Sequence, residues 1–88
     1  MNCYKTAAKW NAFFEFIKQN FDANTQGRIG FMYRPTDDLQ DIFIKSADKN
    51  MLATISKKYG LTPCEQPGNF IDSDWRYTGN HSLFEDKL

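Results

Sequence analysis

Eighty-eight residues hold one hydrophobic core and one domain spanning 1–88, since a second core would have too little surface to bury. Eleven basic and eleven acidic residues cancel to a formal charge of zero, which excludes a broadly cationic nucleic-acid binder and an acidic nucleic-acid mimic alike. Two cysteines, Cys3 and Cys64, are too few for a disulfide framework, though they leave room for one bridge, and they favour a reducing compartment.

The densest run of large apolar side chains lies at 7–21. At 100° per residue, Trp10, Phe13, Phe14, Ile17 and Phe21 fall within an arc of about 100°, the width of a core-facing helical stripe. Together they offer on the order of 10 kcal/mol of gross burial. Residues 1–5 extend this helix or fray from it, and Thr6 is suited to be its N-cap. Residues 22–27 favour turns, so the helix stops there. Residues 28–34 alternate Ile29, Phe31 and Tyr33 with Arg28, Gly30, Met32 and Arg34, the period of a strand. Pro35, Thr36, Asp37 and Asp38 make a hairpin turn. A return strand from 39 or 40 to 45 then carries Ile42 and Ile44 on one face and Asp41, Phe43 and Lys45 on the other. Helical spacing of Leu39, Ile42 and Phe43 behind a Thr36 N-cap competes over 37–46; the β-rich Ile-Phe-Ile run favours the strand.

Asp48 reads as an N-cap for a helix whose stripe is Met51, Leu52, Ile55 and Tyr59. Gly60 is its C-terminal stop, and Pro63 prevents it from resuming. Short strands are expected over 61–66 and 70–77, broken by Thr78, Gly79 and Asn80, with a tail at 81–88 that docks as a single turn or stays mobile. The expected architecture is a small α+β domain. Its order is αββα followed by one or two short strands, with an antiparallel sheet packed on the N-terminal helix.

The stretch LATISKKYGLT at 52–62 resembles the first half of a bacterial helix-turn-helix, with Ser56 at the small-residue position and Gly60 at the turn. The resemblance implies a recognition helix immediately afterwards. Pro63, Pro67 and Gly68 occupy that region, and proline inside a helix costs about 3 kcal/mol. Asp72 and Asp74 form an Asp-x-Asp pair able to face a divalent cation from one side of a strand, although two carboxylates make an incomplete shell. His81 is the only histidine and no nucleophile accompanies it. Cys3, Cys64 and His81 lack zinc spacing, and no phosphate-cradling glycine pattern occurs.

These absences, the balanced charge and the surplus of aromatics lead to a non-catalytic protein–protein interaction module, an inhibitor or adaptor of the bacterial or phage accessory kind. No cofactor, metal or enzymatic activity is expected. Phe16 points away from the helical stripe and, with Arg76 and Tyr77, is the residue type that dominates interface energetics. Burial of Phe16 by Leu83 or Phe84 of the tail is the competing reading. The alternative function is nucleic-acid binding through a local patch of Arg28, Arg34, Lys45, Lys57 and Lys58; a small metal-dependent enzyme using Asp72 and Asp74 is third. With no leader or membrane-length apolar run, the protein is expected to be cytoplasmic and to start at its own Met1. Homodimerisation through an uncovered strand edge stays open.

Overall fold

Alternation and pairing together place the core between two helices and one face of a sheet. The computed structural model describes residues 2–34, 36–64 and 76–79. The elements run β1 (Asn2–Lys9), α1 (Trp10–Asn20), α2 (Ala23–Gln26), β2 (Gly30–Tyr33), β3 (Leu39–Ser46), α3 (Lys49–Tyr59), β4 (Thr62–Cys64) and β5 (Arg76–Gly79). All strand pairs are antiparallel, in the order β4-β1-β3-β2-β5. The expected αββα followed by two strands is present, with one strand more in front of it.

That leading strand is the main correction. Asn2–Lys9 neither extends the helix nor frays; it lies inside the sheet and pairs along its whole length with β3, from Asn2 opposite Ser46 to Lys9 opposite Leu39. Thr6 is therefore no N-cap. It sits opposite Ile42 in the ladder and is buried. Helix α1 starts directly from the strand at Trp10, and its N-cap residue Lys9 makes no side-chain capping bond. Pairing with β3 decides the matter: it places Tyr4, Thr6 and Ala8 on one face and Cys3, Lys5 and Ala7 on the other.

On that face, Thr6 and Ala8 lie beside Ile42, Ile44 and Phe31 by register. Against them pack Trp10, Phe13 and Ile17 of α1 and Met51 and Ile55 of α3, all buried. Phe14 and Phe21, expected within the stripe, are half-buried at its margin. The other face also holds buried residues: Cys3, Lys45 and Gly30 follow one another across β1, β3 and β2.

The hairpin of β2 and β3 forms as expected, and within 37–46 the strand covers Leu39–Ser46 where a helix competed; β2 is shorter than 28–34. Its turn is closed by the side chain of Gln40, which accepts from the Arg34 amide at 3.1 Å and donates back to the Arg34 carbonyl. The turn expected after α1 contains one helical turn, α2, capped by Asp22, whose carboxylate accepts from the Thr25 amide at 2.7 Å. Bonds from Thr25 hold that carboxyl below the ordinary range.

Helix α3 is bounded as its sequence signals. Asp48 Oδ1 accepts from the Met51 amide at 3.1 Å, and Gly60 takes a φ of +77°, where L side chains are strained. Thr62–Cys64 then forms a strand, so no recognition helix follows Gly60 and the helix-turn-helix resemblance ends there. β5 continues through Thr78 and Gly79, residues expected to break it. The expected strand at 70–75, the Asp72–Asp74 pair and the tail at 81–88 lie outside the described residues.

Candidate functional site

β4 covers only part of β1. Cys3, Lys5 and the residue between them stand opposite Cys64, Thr62 and Pro63, but among the described residues no strand pairs with the outer side of 6–9. Where the two chains part, the end of α3 and its exit through Gly60 and Leu61 diverge from β1. They leave a cleft of about 360 Å³ lined by Thr6, Ala7, Tyr59, Leu61 and Thr62, among others. Its walls combine strand backbone with half-buried Tyr59 and Leu61. Thr6 is 5 % exposed, and its buried Oγ1 finds no hydrogen-bond partner among the described residues. Burial pushes the Tyr59 phenol above its ordinary pKa, so it is neutral at physiological pH.

At this end of the sheet the exposed face mixes apolar and charged side chains, with Asp41 standing opposite Ala7. Leu39, opposite Lys9, is 69 % exposed, and Ala7 and Lys9 are exposed with it. An uncovered edge presents unpaired N–H and C=O groups, the template that a further strand uses.

Helix α1 joins this cleft to an aromatic network. Tyr33 stacks on Trp10 at 3.5 Å between ring centres and 11° between planes, and Trp10 stacks in turn on Phe14 at 5.2 Å. Lys18 lies 5.3 Å over Phe14 and pairs with Glu15 at 3.1 Å. On the other flank Phe16 meets Tyr59 edge-on at 5.5 Å, and the Lys58 ammonium sits 5.8 Å over Phe16. Phe16 is thus half-buried against the cleft wall.

The expected contact residues do not share one surface. Phe16 belongs to the β1–β4 side, whereas Arg76 is exposed on β5 at the opposite edge, opposite Tyr33, and Tyr77 stands opposite Met32. Burial raises the Tyr33 phenol pKa and the Arg76 charge opposes that rise.

The five expected nucleic-acid cations are likewise dispersed. Lys45 is 7 % exposed on β3, inside the sheet. Arg28 lies 3.9 Å from Asp48, near one end of β2, and Arg34 follows the other end. Lys57 and Lys58 occupy the last turn of α3, where cations favour the negative end of the helix dipole. Among the described residues no three His, Cys, Asp or Glu side chains cluster as a metal site, and no helix is long and apolar enough to cross a membrane.

The edge at 6–9 is the feature that sequence reasoning missed. Its signal was the period-two exchange of Tyr4, Thr6 and Ala8, hidden by alanines and lysines that also suit a helix. Compared with protein-family models, curated proteins and solved structures, the chain gives no match in any of the three.

Proposed function

We propose that this chain is a non-catalytic protein-binding module of the cytoplasm, an inhibitor or adaptor, and that it captures its partner by strand addition. An extended segment of the partner pairs with the outer side of β1 at 6–9, and one of its apolar side chains enters the cleft against Tyr59 and Leu61. The observation that carries this reading is the half-covered edge itself. Among the described residues β3 accompanies β1 throughout while β4 accompanies three residues, so the open backbone lies beside a mixed polar and apolar recess to which Tyr59 and Leu61 contribute the large apolar side chains. Main-chain bonds then supply affinity, and the recess supplies selectivity for alternate side chains. Phe16 contributes by holding Tyr59 in place, and Lys5 and Lys9 favour acidic residues in the incoming strand.

Capture from an extract of the native cell tests this. Ala7 and Thr62 are exposed at the rim, so Ala7→Arg and Thr62→Arg leave the fold intact while obstructing the edge. Each is expected to lower partner recovery about tenfold, the loss that accompanies about 1.4 kcal/mol. Full recovery by both variants contradicts the reading. Sedimentation of the purified chain separates the remaining occupant: a dimer abolished by Ala7→Arg makes the incoming strand a second copy.

A further inference from the structure

We propose that Cys3 and Cys64 are a thiol–disulfide exchange site, which reacts with a small-molecule disulfide of the oxidised-glutathione class to form a reversible bridge fastening β4 to β1. The two residues are far apart in the chain but directly opposite in the β1–β4 register. Opposed residues of an antiparallel pair have Cα atoms about 4.5–5.5 Å apart, inside the span of about 4.4–6.8 Å that a disulfide requires. Their Sγ atoms already lie 2.7 Å from each other, with both residues as thiols. No backbone movement is needed to bring the sulfurs together.

The two thiols differ in access, and the difference assigns their order of reaction. Cys64 is half-exposed on a three-residue strand at the sheet edge, where Pro63 donates no ladder bond. Cys3 is 6 % exposed, with Lys45 opposite it on β3 and Cys64 opposite it on β4. Burial, together with the bond to Cys64 and its charge, pushes the Cys3 pKa up to about 12, against the opposing pull of Lys45. Cys64 is therefore the group that meets the oxidant. Its thiolate attacks one sulfur of the reagent, the reagent's S–S bond breaks, and one thiolate leaves, so that Cys64 carries a mixed disulfide.

Cys3 then loses its proton to the departed thiolate or to water, attacks the Cys64 sulfur and expels the second thiol. In sum, one small-molecule disulfide is reduced to two thiols while two protein thiols are oxidised to one bridge. The bridge closes a loop of most of the chain, which restricts the unfolded state. It also fixes Thr62, one wall of the cleft, beside β1. The chemistry does not depend on what occupies that cleft.

The full-length chain, reduced and then placed in oxidised glutathione, provides the test. The expected product has lost the mass of two hydrogens and retains no glutathione, and its digest contains one peptide pair joining Cys3 to Cys64. Its melting temperature rises by about 10 °C over the reduced form. Cys3→Ser is expected to stop with one glutathione on Cys64, and Cys64→Ser to react about tenfold more slowly at the buried Cys3. A wild-type product that keeps glutathione, that appears as a disulfide-linked dimer, or that melts no higher than the reduced form overturns the proposal.

Discussion

The two halves of β1 are built from one strand but live in different surroundings. Residues 3–5 have β3 on one side and β4 on the other, and they carry the thiol that faces Cys64. Residues 6–9 keep β3 but have no described strand paired on their outer side, and they border the cleft. The first half is secured by pairing, the second by what lies beneath it: Thr6 and Ala8 against the buried residues of α1 and α3. A central strand can thus serve as scaffold at one end and as a docking edge at the other, provided that the core holds it from below.

Removing that support is the harshest way to break the comparison. Phe13 is fully buried and meets Phe31 and Tyr59 edge-on or tilted, so Phe13→Ala should cost about 3–5 kcal/mol and melt both halves together. Chemical denaturation followed by separate probes of the two halves checks it. Gly60→Ala acts on one half. The added Cβ meets no atom within 4 Å, so the cost is the backbone strain of a φ of +77°, about 1–3 kcal/mol. It should disturb the cleft wall, and hence partner capture, while leaving the β1–β3 ladder protected from hydrogen exchange.

Thr6→Val runs the other way. It replaces a buried hydroxyl that has no partner among the described residues with a methyl of similar shape, and should raise stability by about 1 kcal/mol in urea unfolding. A loss of that size would mean the hydroxyl is bonded. The smallest effect is a drift with pH in the reduced protein. Because the folded-state pKa of Cys3 is raised, the unfolded chain releases this proton first. The stability it represents is therefore present below about pH 9 and lost between pH 9 and about 12. Tyr33 and Tyr59, raised by burial, add to the decline above pH 10, so the Cys3 part is the difference between wild type and Cys3→Ser.

How much of this was legible in the chain depends on whether a signal was local. Asp48 and Gly60 bound α3 through their own chemistry, and the β2–β3 hairpin follows from two alternating runs joined by turn residues. The stripe of α1 was equally plain: Trp10, Phe13 and Ile17 are buried as the wheel requires. Residues 2–9 were not, because NCYKTAAK contains lysines and alanines that tolerate a helix, and only partners distant in sequence make it a strand. The candidate site inherits that gap. Phe16 stands out as an off-stripe aromatic in the sequence, but its neighbour Tyr59 and the cleft between them and β1 come from tertiary packing. Lys45 shows the same limit from the other side, since a lysine at a strand's outward position reads as surface until its cross-sheet neighbours Cys3 and Gly30 are known.

Backbone hydrogen exchange, measured on the free chain and on the complex captured from the native cell, probes the docking edge most directly. The outward-facing amides within 6–9 should exchange quickly in the free chain, while those of 3–5 that point toward β4 exchange slowly; on capture, the former should become protected. Unchanged exchange at 6–9, with new protection confined to β5 and the far flank of α1, would contradict strand addition at β1.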